Sequence, residues 1–183
     1  MSEPVADAGM GVETGGGVGG GGSAGSAGRA IVITCSTRAA GGVYPDRGGP
    51  LIVETLRQWG FEVGDPLVVP DGPDVTEALQ AALAAEPEVV ITTGGTGLSP
   101  TDGTPEATRA VLDREVPGLA EAIRGAGLAA GVPTAALSRG LVGVAGSTLV
   151  VNLPGSTGGV RDGLGVLEAI LPHALSQIRG GDH

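Results

Sequence analysis

A chain of 183 residues, 41% of them apolar, can bury the core of one domain and is short for two. Its net charge of −10 offers no field to hold a polyanion, and no Arg cluster is interleaved with aromatics, so nucleic-acid binding is excluded. No apolar run approaches the roughly 20 residues needed to cross a bilayer, and the first residues lack a charged leader followed by a hydrophobic stretch; a soluble, cytoplasmic protein with no membrane partner is expected.

The missing residue types narrow the chemistry further. All ten basic residues are arginines, which removes a Walker phosphate loop and Schiff-base catalysis. Two histidines, His173 and His183, are too few for a histidine-rich zinc site and leave little for a catalytic triad. Cys35 ends an apolar run, where a small buried core residue is expected and no disulfide within the chain is possible. Carboxylates, hydroxyls, arginines and backbone amides are left to do the work.

In chain order, residues 1–28 are rich in Gly, Ser and Ala and bury too little apolar surface to offset ordering, so they are read as a disordered tail preceding one domain over residues 29–183. Gly17, Gly19 and Gly22 match a dinucleotide fingerprint by spacing, but they precede the first strand instead of following it. Residues 30–34 read as a strand, and Ile52, Leu56 and Trp59 as a helix face stopped at Gly60. Residues 63–69 read as one second strand. Asp74 and Glu77 then form a capping signal for a helix carrying Val75, Leu79 and Leu83. A third strand at residues 89–92 is followed by two helices. One starts at Thr104 and Pro105, and the other presents Leu119, Ala122, Ile123 and Ala126.

Residues 141–144 and 148–152 are strand-like across Ala145, Gly146 and Ser147, a hairpin signal. Val160, Leu164, Leu167, Leu171, Leu175 and Ile178 mark a last amphipathic helix that Pro172 is expected to kink or break. This order predicts a three-layer α/β domain: a mostly parallel sheet flanked by helices, with a β-hairpin inserted.

Ligands bind such sheets beyond the carboxyl ends of the strands. There the third strand runs into Thr92, Thr93, Gly94, Gly95, Thr96 and Gly97, a turn whose amides and hydroxyls can surround an anion, though such a turn is as readily structural. Asp102 stands just ahead of the helix start at Thr104, where a capping role is the simple alternative. Asn152, Leu153, Pro154, Gly155 and Ser156 repeat the arrangement of glycine turn and helix start.

These turns, together with Pro105, Glu106, Ala107 and Thr108, Ser138 with Arg139, Ser36 with Arg38, and Gly42, Val43, Tyr44, Asp46 and Gly49, resemble the MogA and MoaB family in consistent order over residues 29–178. The resemblance implies an enzyme of the molybdopterin adenylyltransferase type, a homotrimer or a hexamer, that uses ATP and Mg2+ to transfer AMP onto molybdopterin and releases pyrophosphate. By position, Asp71 and Asp102 match the acidic residues tied to adenylyl transfer, with Asp102 the implied magnesium ligand. Ser36, Thr93, Gly94, Gly95, Thr96, Gly97, Ser138, Arg139, Asn152, Pro154, Gly155 and Ser156 match substrate contacts. Three positions depart from the pattern: Thr37 where an acidic or amide residue is common, Gly103 where valine is, and Gly158 or Gly159 where a lysine often follows the second turn. A molybdopterin-binding scaffold without catalysis is the alternative the same turns allow.

Overall fold

The computed structural model describes Met1 and residues 26–181. The fingerprint-like glycines, His183 and nearly all of the Gly-rich tail lie outside the described residues. The first strand, β1 (Gly28–Cys35), begins at the last residue assigned to that tail, and the Ala27 N–H already donates to the Gly60 carbonyl.

Among the described residues, seven strands form one sheet. Besides β1 these are β2 (Phe61–Val63), β3 (Leu67–Val69), β4 (Val89–Thr93), β5 (Arg114–Glu115), β6 (Val142–Ala145) and β7 (Thr148–Leu153), ordered β2-β1-β4-β7-β6-β5 with β3 also on β1. β1 pairs parallel with β2, β3 and β4, and β4 pairs parallel with β7. β6 runs antiparallel to both of its neighbours, β5 and β7, as the hairpin signal requires: its Ala145 faces Thr148 across the two-residue turn Gly146–Ser147.

After a one-turn helix, α1 (Thr37–Ala40), that follows β1, longer helices cover both faces. The side-chain period of two sends Ala30 and Val32, Val89 and Ile91, and Leu149, Val151 and Leu153 to one core. That core is closed by α2 (Gly48–Gln58), α5 (Pro117–Ala129) and α6 (Thr157–Ile178). Ile33, Cys35, Val90 and Val150 point to the other, under α3 (Pro73–Ala84) and α4 (Thr104–Arg109). The three-layer α/β reading therefore holds. Among the described residues no helix is long and apolar enough to cross a membrane.

Local details differ from the periodicity. The single strand expected over residues 63–69 is two. The pairing offset with β1 changes from Gly28↔Phe61 to Ile33↔Leu67, so one extra residue bulges out where Gly64, Asp65 and Pro66 face Ile31 and Val32, and Pro66 has no N–H for the ladder. The capping box at Asp74 does not form: Pro73 takes the first helical position with Gly72 as cap, leaving Asp74 inside the first turn. In α5 the buried stripe is Leu119, Ala120, Ile123 and Gly127, while Ala122 is exposed. Pro172 does not break α6. It sits on the exposed face, where the Glu168 carbonyl that loses its N–H partner is open to water.

Candidate functional site

Because β1, β3, β4 and β7 run parallel, their carboxyl ends meet at one rim. The chain leaves β1 at Ser36, β3 toward Asp71, β4 at Gly94 and β7 at Pro154. Two glycine turns form the floor and are tied to each other: the Gly94 N–H donates to the Leu153 carbonyl at 3.1 Å, and the Thr93 hydroxyl donates to the Pro154 carbonyl at 2.8 Å. Gly94 has φ +96° and Gly95 φ +62°, conformations that leave their backbone facing the rim without a side chain above it.

Above this floor lies a cleft of about 650 Å3. It brings together Ser36, Asp71, Thr93, Gly94, Gly95, Asp102 and Gly155 from the expected set. Thr96, Gly97, Pro154 and Ser156 are not among the lining residues. Thr96 is buried, and Ser156 caps α6 by accepting from the Gly159 N–H at 3.1 Å. Asn152 is buried beneath the floor with its amide engaged inside the protein: it donates to the hydroxyls of Thr92 and Thr108, both at 2.9 Å, and accepts from the Leu141 N–H at 3.0 Å. Ser138 and Arg139 line a separate depression of about 330 Å3 with Glu115 and Arg124.

Asp71 and Asp102 are each held by one oxygen. Asp71 Oδ2 accepts from both the N–H and the hydroxyl of Thr37, each at 2.9 Å, and the Asp71 N–H donates back to that hydroxyl at 3.1 Å. Thr37, a departure from the family pattern, is thus the residue that orients Asp71. Asp71 Oδ1 faces Gly95, 3.1 Å from where a β-carbon there would stand. Asp102 Oδ2 accepts from the Ser99 N–H at 2.9 Å. Among the described residues no group of three or more His, Cys, Asp or Glu side chains is placed to hold a metal. Asp71 and Asp102, each with one oxygen unengaged on the cleft, match the one or two carboxylates that magnesium takes alongside phosphate oxygens and water.

The cleft also holds residues that the site reading missed: Arg38, Arg47, Tyr44 and Asp46. Arg38 and Arg47 supply the positive charge, and neither appears in the ion pairs of the described residues. The Arg38 guanidinium lies 5.1 Å from the centre of the Tyr44 ring. Asp46 fixes this segment: Oδ1 accepts from the N–H groups of Gly48 and Gly49 at 3.0 and 3.1 Å, and Oδ2 from the Thr34 hydroxyl at 2.7 Å. The motif letters around Gly42, Tyr44 and Asp46 were visible, but no spacing rule shows that the segment before α2 folds across the strand ends.

Cys35 lies at the edge of the cleft yet is 1% exposed. Burial pushes its thiol up to about 11, partly offset by the Thr104 hydroxyl beside it, while the Asp71 charge adds to the rise. A thiol this far above neutral pH carries almost no thiolate. The native protein is expected to resist a disulfide reagent at pH 7.5 and to react with one equivalent after unfolding; prompt labelling of the folded protein contradicts this.

Comparison with known proteins agrees with this architecture. The family described as "Probable molybdopterin binding domain" matches residues 31–173. The chain is 41% identical over 155 residues to the molybdenum cofactor biosynthesis bifunctional protein of Synechococcus elongatus, covering 84% of this chain and 48% of that one, so it spans about half of that relative's length. It is 39% identical over 144 residues to the molybdopterin adenylyltransferase of Escherichia coli K12, covering 75% of this chain and 73% of that one. The molybdopterin biosynthesis Mog protein from Mycobacterium ulcerans superposes with a TM-score of 0.78 at 60% identity, covering 82% of this chain and 98% of that one. With its turns, its rim of strand ends and this match over most of its length, the chain belongs to the MogA/MoaB family of molybdopterin-binding domains.

Proposed function

We propose that the chain is a molybdopterin adenylyltransferase in molybdenum cofactor biosynthesis, joining AMP from ATP to the terminal phosphate of molybdopterin. In this reaction a phosphate oxygen of the pterin bonds to the α-phosphorus of ATP. The bond from that phosphorus to the bridging oxygen breaks, and pyrophosphate leaves with the electron pair. The observation that carries the reading is one cleft holding Asp71, Asp102, Arg38 and Arg47 over two glycine turns.

An attacking phosphate is largely ionised near neutral pH, with a second pKa of about 6, so no strong general base is needed. The protein's task is to position the two phosphate groups and neutralise their charge. Arg38 and Arg47 face the phosphates, and the backbone at Gly94 and Gly95 allows close approach. The unengaged oxygens of Asp71 and Asp102 would hold Mg2+, which supplies Lewis-acid neutralisation when bound with the nucleotide. Homotrimeric association and a cytoplasmic setting belong to the same proposal.

The test is pyrophosphate release by the pure protein. Release is expected only when molybdopterin, ATP and magnesium are all present, and EDTA should abolish it. Pyrophosphate formed without the pterin favours a nucleotide hydrolase, and none with all three favours a binding scaffold.

A further inference from the structure

We infer that Arg139 is a positioning residue that sets the place of Asp102, instead of a phosphate grip; this rests on the adenylyl-transfer reading for its catalytic part. Between Gly97 and Asp102 the chain leaves the body of the domain, and Leu98, Ser99, Pro100 and Thr101 are all exposed. The bonds inside this loop close it only on itself. The Asp102 N–H donates to the Ser99 carbonyl at 2.9 Å, the Ser99 N–H returns to Asp102 Oδ2, and the hydroxyls of Ser99 and Thr101 lie 3.1 Å apart. None of these fixes the loop against the sheet.

Arg139 does. Its Nε donates to the Gly97 carbonyl at 2.8 Å and its Nη2 to the Asp102 carbonyl at 2.7 Å, so one planar guanidinium joins both ends of the loop. Nη1 pairs with the Glu106 carboxylate in α4, and the Arg139 N–H donates to the Thr96 carbonyl at 2.8 Å. Nitrogen atoms aimed at three separate acceptors in one fork are what arginine offers and lysine cannot. Three of the five guanidinium N–H groups are thus spent on the loop and on α4, which fixes the side chain across them. Its depression, shared with Glu115 and Arg124, is distinct from the cleft that Asp102 lines.

The experiment compares Arg139→Met and Arg139→Lys with wild type in the full chain. Two readouts are taken: amide hydrogen exchange over residues 97–104 without ligand, and steady-state adenylyl transfer. A clamp predicts exchange faster by about tenfold in that segment in both variants. It also predicts a kcat lower by about ten- to hundredfold, with the molybdopterin KM changed less than about threefold. The Lys variant, which keeps charge and length, should not rescue, and it serves as the second test should the Met variant fold poorly. Unchanged exchange in the Lys variant overturns the clamp. So does a tenfold rise in molybdopterin KM with kcat retained, or near-wild-type pterin affinity restored by lysine, since those describe a phosphate contact. Should the wild type transfer no AMP, the proposed function fails by itself and the exchange readout still decides the clamp.

Discussion

Asp102→Asn is expected to slow adenylyl transfer by about a hundredfold or more at saturating molybdopterin, the scale on which one well-placed electrostatic contact acts in a transition state. The variant should keep its fold and most of its pterin affinity. Among the described residues, the bond the Asp102 side chain makes is the one Oδ2 accepts from the Ser99 N–H, and an Asn carbonyl oxygen can accept the same bond. What disappears is the negative charge, and with it a ligand suited to magnesium. The measurement pairs the rate with the melting temperature. A stable variant reacting at the wild-type rate would reduce Asp102 to a loop-closing residue and remove the main support for catalysis in this cleft.

Gly94→Ala is expected to destabilise the fold by about 3 kcal/mol or more, from a left-handed backbone that costs about 1–3 kcal/mol for alanine and from overpacking of similar size. Gly94 has φ +96°, and a β-carbon there would stand 2.3 Å from the Cys35 carbonyl oxygen. That oxygen belongs to the backbone at the end of β1, so it cannot swing away as a side chain would. Moving it would shift Ser36 and the start of the cleft. For a domain of this size the melting temperature should fall by about 6–12 °C, which thermal unfolding by circular dichroism measures. A fall of less than about 2 °C would show that Gly94 is not packed against the end of β1 as described.

Much of this architecture was legible because burial on two faces leaves a strong imprint on a sequence. The continuous apolar runs of β1, β4 and β7 mark strands covered on both sides. The glycine turns could be placed because they follow those strands directly. Features set by single bonds or by distant packing were not legible. β5 is two charged residues, Arg114 and Glu115, without periodicity of its own, and it exists only because β6 offers a free edge. The bulge at Pro66 needs the register of β1 to be seen. At Asp74 a capping signal competed with Pro73, and the preset backbone of proline prevailed. Within the site, the two turns were found by their position after strands, Asp102 by its place ahead of a helix start and Asp71 through the family resemblance, whereas Arg38 and Arg47 enter the cleft through the fold of the segment before α2. Arg139 was marked by the family resemblance, and its partners across 33 to 42 residues could be known only from the structure.

The reaction itself is the central claim, and identifying its product tests it most directly. The pure protein, incubated with molybdopterin and magnesium ATP, is analysed by mass spectrometry for the pterin species. The result expected is a pterin heavier by one adenylyl group, formed in equal amount with pyrophosphate, and formed about a hundredfold or more slowly with Asp102→Asn. Recovery of unmodified molybdopterin bound to a folded wild-type protein, after turnover times sufficient for related transferases, would contradict it.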